Sequence, residues 1–397
     1  MGCSCGTAAR PKEAVVDLVP AIKLDDDGGK HRSWASTSTS PEGPGLRRSD
    51  LSDAEVSKCK SPLSIDIRSK DQEAASRSSR LSDFELILTL GVGFIGSVRL
   101  VRLANSSGET PFALKVMSKR AVLKKEQVDH VLQEKQLLGQ VDHPFIVNLL
   151  TVFQDDANLY MLMEYVNGGE LFSAIRNGKR FNNEGAQFYA AEVALALAHC
   201  HASFIAYRDL KLENILIDFQ GHVKITDFGF AKVVRTRTYT RCGTPDYMAP
   251  EIINMRGHDM SVDWWAMGVL IYELLTGRTP FVGGSSQATY QKVLNTEPKF
   301  PAHFTEHARG IVRQLLTKDK SRRLGCGVHG AADVQNHKWF AAVAWDLVLE
   351  RKYTAPYVPK VKDAWDASMF DRYPEEAVSS IDTSGLTAQQ QQLFDEF

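Results

Sequence analysis

Three short motifs in a fixed order constrain the fold of this chain more than any other feature. The segment Tyr207-Arg-Asp-Leu-Lys-Leu-Glu-Asn214 comes first, Asp227-Phe-Gly229 begins 18 residues after Asp209, and Ala249-Pro-Glu251 follows. Phosphoryl transfer needs a carboxylate beside the accepting hydroxyl, a cation beside the transferred group and hard oxygen ligands for magnesium. The motifs supply these residue types together, so they predict a phosphoryl-transfer centre rather than unrelated loop residues. Its members are Asp209, Lys211, Asn214 and Asp227.

A glycine-rich segment lies upstream of these motifs. Gly91-Val-Gly-Phe-Ile-Gly-Ser-Val98 has the spacing G-x-G-x-x-G-x-V, in which glycines let backbone amides approach phosphate oxygens without a Cβ between them. The segment lies between two β-like runs, whereas a dinucleotide-binding fingerprint would open a helix. We therefore interpret it as a hairpin that covers a nucleotide, although the motif alone also fits a glycine-rich turn without a ligand.

A lysine and a glutamate follow the glycine-rich segment. Lys115 lies on the third β-like run, and Glu134 lies on the helical pattern after it. A lysine at this place would hold the α- and β-phosphates of a nucleotide, with the glutamate as its counter-ion. Taken alone, the pair also fits a surface lysine and a solvated glutamate.

The amino-terminal part of the chain differs in composition from the rest. Residues 33–82 contain 14 Ser and few large apolar residues. The little apolar surface that this segment can bury does not offset the conformational entropy that is lost when a chain becomes ordered. Residues 1–82 are therefore predicted to be mostly disordered.

From residue 84 onward the hydrophobic pattern indicates a folded domain of the α+β class with two lobes. Residues 84–165 contain β-like runs and one helical pattern, and residues 166–340 have mainly helical spacing. The polar, proline-containing residues 341–397 are predicted to form an extended tail with an aromatic end.

The charge and cysteine content exclude several classes of protein. Lys and Arg number 47 and Asp and Glu 48, so the balanced charge offers no general attraction to nucleic acid. No run of about 18 apolar residues and no secretory signal occurs, which predicts a cytoplasmic protein. The six cysteines are too scattered for a zinc site or a disulfide framework and are predicted to be reduced.

Residues 84–340 resemble a eukaryotic protein kinase, and residues 341–397 resemble the tail of the AGC group. Cys242-Gly-Thr-Pro-Asp-Tyr247, Asp263-Trp-Trp265 and the terminal Phe-x-x-Phe397 further resemble the catalytic subunits of cyclic-AMP-dependent kinases. The resemblance implies a bilobal fold, ATP and Mg²⁺ as cofactors, and Ser or Thr hydroxyls of proteins as acceptors.

The resemblance also implies roles for individual residues. Asp209 would be the catalytic base, Lys115 and Lys211 would hold phosphates, and Asn214 and Asp227 would hold magnesium. ATP would contact Leu90, Gly91, Val92, Gly93, Phe94, Ile95, Gly96, Ser97, Val98, Ala113, Lys115, Glu134, Met163, Glu164, Val166, Glu170 and Leu216.

Substrate choice is implied by an acidic patch. Glu170, Glu213 and Glu273 match glutamates that face arginines two and three residues before the phosphoacceptor, and Tyr373 matches a tail residue that joins this patch. Arg241 replaces a leucine of the family, which predicts an acidic or small residue after the phosphoacceptor. Alternatively, Arg241 extends into solvent or toward phosphorylated Thr240.

Regulation is implied at three places. The resemblance implies a phosphate on Thr240 gathered by Arg208, Lys232 and His130, and a cAMP-binding regulatory subunit as a partner, although Arg241 weakens that inference. Ser379, or equally Ser380, matches a tail phosphosite. The N-terminus resembles an acylation signal that would attach the chain to a membrane, with myristate on Gly2 and palmitate on Cys3 and Cys5.

Two other functions stay open at this point. A pseudokinase scaffold would bind nucleotide without turnover. The tip Phe94-Ile95, where relatives carry Ser-Phe, and Arg241 favour it, whereas the intact Lys115, Asp209, Asn214 and Asp227 argue against it. The other alternative is an AGC kinase that cAMP does not regulate.

Overall fold

The computed structural model of the chain describes residues 70–104, 110–178, 180–374 and 386–397, all within one compact unit. The smaller lobe contains a five-stranded antiparallel sheet with the strand order β1-β2-β3-β5-β4. Its strands are β1 (Phe84–Val92), β2 (Gly96–Leu103), β3 (Phe112–Ser118), β4 (Leu149–Gln154) and β5 (Asn158–Glu164). The interior strand β5, which lies between β3 and β4, is buried along nearly its whole length, which explains its largely apolar sequence.

Three helices accompany this sheet: α1 (Lys70–Ala75), α2 (Lys119–Lys124) and α3 (Val128–Leu138). Helix α1 lies near the end of the segment 1–82 that was predicted to be mostly disordered, and the sequence pattern did not indicate this helix. Ala75 is fully buried in a cluster with Phe84 and Phe153, and this tertiary contact compensates for the short helix's weak propensity. Residues 1–69 lie outside the described residues.

The larger lobe is mainly helical, which confirms the predicted α+β class. Helix α7 (Ser261–Thr276) is apolar on all faces and almost entirely buried, as expected for a central core helix. The other helices of this lobe are α4 (Leu171–Gly178), α5 (Asn183–Ala202), α6 (Pro250–Ile253), α8 (Ser286–Asn295), α9 (Glu306–Leu315) and α10 (Ala331–Gln335). Two small sheets pair β6 (Ile205–Ala206) with β9 (Lys232–Val233) and β7 (Ile215–Ile217) with β8 (Val223–Ile225).

A buried ion pair fixes α6 in the larger lobe. Arg323 is 2% exposed, and its two terminal nitrogens donate to the two carboxylate oxygens of Glu251 at 2.7 and 2.9 Å. Arg323 also donates to the carbonyl oxygen of Ser261 at 2.9 Å. The guanidinium therefore connects α6 to the start of α7 with bidentate geometry.

The tail contains two short helices, α11 (Trp345–Leu349) and α12 (Ala388–Gln392), so the prediction of an extended tail is only partly right. Phe394 follows α12 and is fully buried in the main hydrophobic core cluster. Its carbonyl oxygen accepts a hydrogen bond from the Gln154 side chain at 2.9 Å, and the ammonium of Lys119 lies 5.4 Å from its ring centre. The aromatic end of the tail thus packs on the smaller lobe.

Replacing Phe394 by Ala should lower the free energy of unfolding by about 3 kcal/mol, because it empties a fully buried aromatic site. Urea denaturation measures this change. The neighbouring Leu393 is 50% exposed, so Leu393→Ala is a matched control with an expected change below about 0.5 kcal/mol. Equal losses in the two variants would contradict the docking of Phe394.

Among the described residues, no helix is long and apolar enough to cross a bilayer. The described cysteines, Cys200, Cys242 and Cys326, are free thiols.

Candidate active site

The glycine-rich segment forms the turn between β1 and β2, which pair antiparallel as the hairpin interpretation requires. The N–H of Gly93 donates to the carbonyl oxygen of Gly96 at 2.7 Å, which closes the turn. A Cβ on Gly96 would lie 1.8 Å from the carbonyl oxygen of Val116 on β3, so only glycine fits there. At the tip, the half-exposed Phe94 packs its ring 4.0 Å from the ammonium of Lys125.

Lys115 and Glu134 form an ion pair between β3 and α3. The ammonium lies 2.6 Å from the carboxylate, and Glu134 is buried. Burial opposes the charge of Lys115, but Glu134 and Asp227 outweigh it, so the pKa of Lys115 is raised and its ammonium is retained. The structure therefore brings the predicted lysine and its predicted counter-ion together, beside Asp227.

Asp209 lies at the centre of the loop after β6. One carboxylate oxygen accepts hydrogen bonds from Lys211 at 2.9 Å and from Asn214 at 2.8 Å. The hydroxyl of Thr244 donates to the other oxygen at 3.3 Å. Burial raises the pKa of Asp209, and Lys211 partly offsets this effect. The pattern orients a carboxylate whose basicity exceeds that of an ordinary aspartate, which suits a general base.

Two backbone positions in this centre are strained, and a buried polar contact holds the first of them. Arg208 (φ +68°) and Asp227 (φ +59°) lie in the left-handed region that side chains other than glycine rarely adopt. The fully buried carboxylate of Asp263 accepts the backbone N–H groups of Tyr207 and Arg208 at 2.9 and 2.8 Å. The ring of Tyr207 packs edge to face on Phe228 at 5.2 Å, which connects the two motifs.

An apolar surface lies between β1, β2, β3 and the segment after β5. Leu90 and Ala113 belong to one small hydrophobic cluster, against which Val98 packs. Ala113 on β3 pairs with Met163 on β5, while Leu216 on β7 forms a bridge with Glu170. The predicted ATP contacts therefore include residues on strands of both lobes.

A lysine outside the sequence motifs fixes the end of β5. Lys224 is 3% exposed, and its ammonium lies 2.7 Å from the carboxylate of Glu164. The same carboxylate accepts the backbone N–H of Asn148 at 2.7 Å. No local motif pairs Lys224 with Glu164, because 60 residues separate them in the sequence.

The three predicted substrate glutamates influence one another electrostatically. Burial raises the pKa of Glu170, and the nearby charges of Glu213 and Asp371 add to this effect. Burial likewise raises the pKa of Glu273 to about 7, although the hydroxyl of Tyr247 donates to it. Such mutual repulsion is relieved by a cationic ligand.

Tyr373 contributes to this region from the tail. Burial raises the pKa of its phenol, as do the charges of Asp371 and Glu170, while the backbone amide of Val92 opposes the shift. Tyr373 therefore lies between the glycine-rich hairpin and the acidic group. Asp371 is a further acidic residue that sequence analysis did not identify.

Thr240 is exposed near a group of basic side chains. Lys232 donates to the hydroxyl of Thr238, two residues before Thr240, at 3.3 Å. Burial lowers the pKa of His130, and the charges of Arg208 and Lys232 lower it further. The three predicted basic residues thus come together from three segments of the chain.

Arg241 is exposed and places its guanidinium 4.9 Å from the ring centre of Tyr290. This stacking was not among the alternatives predicted for it. The predicted modification sites Gly2, Cys3, Cys5, Ser379 and Ser380 lie outside the described residues.

Comparison with known proteins agrees with this geometry. The family model for the protein kinase domain matches residues 84–340. This chain belongs to the protein kinase family. The kinase is 50% identical over 297 residues to cAMP-dependent protein kinase type 3 of Saccharomyces cerevisiae, covering 75% of this chain and 74% of the relative. It is 47% identical over 295 residues to the human cAMP-dependent protein kinase catalytic subunit PRKX, covering 74% and 82% of the two chains.

A third relative is the cAMP-dependent protein kinase catalytic subunit of Dictyostelium discoideum. The two chains are 47% identical over 297 residues, which is 75% of this kinase but only 46% of the relative. This kinase therefore spans about half the length of the Dictyostelium protein. The relatives identify it as a Ser/Thr protein kinase of the AGC group that is similar to cAMP-dependent kinases, rather than a scaffold without activity.

Members of this family use ATP and Mg²⁺, and the residues present fit both. Asp227 is exposed, and its carboxylate accepts the N–H of Gly229 at 3.2 Å. The amide nitrogen of Asn214 donates to Asp209, which leaves its amide oxygen as the side chain's remaining polar atom. A carboxylate and an amide oxygen are hard ligands of the type that magnesium prefers.

Proposed function

We propose that this kinase transfers the γ-phosphoryl group of ATP to Ser or Thr residues that follow arginines, and that a cAMP-binding regulatory subunit controls it. The observation that supports this specificity is the acidic group formed by Glu170, Glu213, Glu273 and Asp371. Arginine pairs with carboxylates by charge and by bidentate geometry. The names of the relatives support the regulatory partner.

The catalytic residues act as follows in this proposal. Asp209 orients the substrate hydroxyl and accepts its proton, while Lys211 and Thr244 hold the carboxylate in position. Lys115 holds the α- and β-phosphates, and Glu134 fixes the lysine. Asn214 and Asp227 would bind magnesium, which neutralises charge on the phosphates.

A position-scanning peptide library tests the specificity. We expect selection of arginine two and three residues before the phosphoacceptor, and of a small or acidic residue after it, beside Arg241. Selection of a large apolar residue at the latter position would contradict the role of Arg241. Equal phosphorylation of peptides with and without upstream arginine would contradict the role of the acidic group.

The affinity for arginine peptides should increase as the pH rises through about 7. The pKa of Glu273 is raised to about 7, so its carboxylate gains charge over this range and attracts the substrate arginine more strongly. The KM of the peptide, measured on both sides of this pH, should therefore fall with rising pH. In Glu273→Gln this dependence should be lost, and a peptide with alanine in place of arginine serves as the control. An unchanged pH dependence in Glu273→Gln would contradict the assignment.

Thr240→Ala should reduce kcat/KM by about tenfold or more, because the phosphate would neutralise the basic side chains of Arg208, Lys232 and His130 and order the loop. Steady-state kinetics with an arginine peptide measures the loss. Thr236→Ala is a control, since Thr236 is also an exposed threonine of this loop. Unchanged turnover in Thr240→Ala would contradict the ordering role.

The regulatory partner and the acylation are tested separately. Addition of a cAMP-binding regulatory subunit should inhibit the kinase, and cAMP should restore activity. Kinase activity that the regulatory subunit leaves unchanged would indicate an AGC kinase outside cAMP control.

We also propose that the kinase is cytoplasmic, with membrane association through acylation of Gly2, Cys3 and Cys5, and that Ser379 is phosphorylated in the tail. Metabolic labelling with myristate, compared between wild type and Gly2→Ala, tests the acylation of Gly2. Phosphopeptide mapping tests the phosphorylation of Ser379.

A further inference from the structure

Two buried side chains near Thr240 carry a nitrogen atom without a hydrogen-bond partner. Arg208 is 6% exposed and His258 is 2% exposed. Within the described part of the chain, no atom pairs with Nη1 of Arg208 or with Nε2 of His258. Unpaired buried polar atoms are rare in folded proteins because they cost free energy. These two side chains lie near one another in the folded chain, and each has a nitrogen free to bind an acceptor.

The backbone of His258 pairs with the segment that carries Thr240, and the Arg208 side chain bonds a carbonyl earlier in the same loop. His258 and Thr238 exchange backbone hydrogen bonds in both directions at 2.8 Å, two residues before Thr240. Lys232 donates to the hydroxyl of the same Thr238. Arg208 donates from Nε to the carbonyl oxygen of Phe230 at 2.7 Å, which leaves Nη1 for another acceptor. Sequence analysis did not identify His258 as part of this region.

The charges around His258 favour an added anion. Burial and the neighbouring guanidinium of Arg208 lower the pKa of His258 to about 4, so its ring is neutral near pH 7. Three carboxylates also lie near the ring. Glu251 pairs with Arg323 and Asp259 with Lys320, whereas Asp263 shares a hydrogen bond with the ring of His201 and accepts the backbone N–H groups of Tyr207 and Arg208. The charges of Glu251 and Asp259 are thus neutralised by ion pairs, and among the described residues the guanidinium of Arg208 forms no ion pair.

We infer that His258 is an additional ligand of the Thr240 phosphate and takes up a proton from solvent when this phosphate is present. The inference rests on the phosphorylation of Thr240 proposed above. A phosphate oxygen supplies the acceptor that Nε2 of His258 and Nη1 of Arg208 lack. Its negative charge also stabilises the imidazolium form. His258 is thus a positioning residue that makes the ordering of the loop dependent on pH.

The direction of this pH dependence follows from the titration of His258 and from that of the Thr240 phosphate. The phosphate raises the pKa of His258, so the ion pair stabilises the ordered loop at lower pH and is lost as the pH rises through the raised value. The second pKa of the phosphate is about 6, below which part of its charge is lost. Between about pH 6 and the raised value, the phosphate should therefore hold the loop less firmly as the pH increases.

Two substitutions separate the hydrogen bond from the charge. His258→Gln keeps an N–H donor but cannot titrate, whereas His258→Phe keeps the ring volume and removes both nitrogens.

The measurement is the rate at which a phosphatase removes the Thr240 phosphate between about pH 6 and 8, divided by its rate on a free phosphopeptide of the same sequence. This ratio cancels the pH dependence of the phosphatase. His307→Gln is a control on an exposed histidine of α9.

We expect the wild-type ratio to rise with pH, and His307→Gln to behave like wild type. His258→Phe should raise the ratio about tenfold at the low-pH end and abolish its pH dependence. His258→Gln should give a smaller increase, also without pH dependence. NMR of histidine-labelled kinase should show the pKa of His258 raised by about one unit or more on phosphorylation.

Three results would overturn the inference. The first is a wild-type pH dependence in His258→Gln, and the second is an NMR titration of His258 that phosphorylation leaves unchanged. The third is an equal loss of kcat/KM from His258→Phe in phosphorylated chains and in Thr240→Ala chains, which would indicate a structural role. Absence of phosphate on Thr240 in fully active kinase would instead overturn the proposed phosphorylation, so the two failures are distinguishable.

Discussion

Asp209→Asn should lower kcat by about 10²–10⁴-fold while the Kd for ATP changes little. The amide cannot accept the proton of the substrate hydroxyl. The substitution keeps the size of the side chain, and one amide oxygen can still accept hydrogen bonds from Lys211 and Asn214. Steady-state kinetics with an arginine peptide gives kcat, and calorimetry gives the Kd for ATP.

A matched control for this prediction is Asp319→Asn. Asp319 is an aspartate in an exposed turn, where it accepts hydrogen bonds from Ser321. We expect kcat to stay within about twofold of wild type there, because surface substitutions rarely change more than about 0.5 kcal/mol. A kcat for Asp209→Asn that equals the control value would mean that another group accepts the proton.

Lys115→Met should lower kcat/KM by about 10²–10³-fold, because it removes the one described ammonium that pairs with Glu134 beside Asp227. The methionine side chain fills similar space without charge, so the fold should persist with an unpaired Glu134 that takes up a proton. Thermal denaturation verifies folding before the kinetics are compared.

Lys124→Met is the corresponding control, since Lys124 lies on the exposed face of α2. It should leave kcat/KM unchanged. Glu134→Gln should cause a smaller loss than Lys115→Met, because the ammonium is retained but less firmly held. A larger loss for Glu134→Gln would contradict the view that Glu134 acts through Lys115.

The sequence predicts those parts of the site whose residues are close together in the chain. Asp209, Lys211 and Asn214 lie within six residues, so their chemistry is visible as one motif. By contrast, Lys224 on β8 contacts Glu164 at the end of β5 only in the folded chain. His258 likewise reaches Arg208 only in the folded chain. Pairs of this kind leave no pattern in a single sequence.

In the fold, too, the features that depend on packing between distant parts of the chain are the ones that the sequence pattern did not predict. One of the β-like runs in the sequence covers 145–153, but β4 begins only at Leu149. Phe145 and Ile146 are buried instead by packing on the larger lobe, where Ile146 bridges to Ile225. A short apolar run has no periodicity that distinguishes these two environments. Helix α1 was missed because its formation depends on burial of Ala75.

The most direct test of arginine-directed phosphoryl transfer uses two serine peptides and ATP labelled in the γ-phosphate. One peptide carries arginines two and three residues before the serine, and its twin carries alanines there. The Thr240-phosphorylated kinase should transfer label to the first peptide with a kcat/KM at least about tenfold higher than to the second. Equal transfer to both peptides, or transfer to neither, would contradict the account.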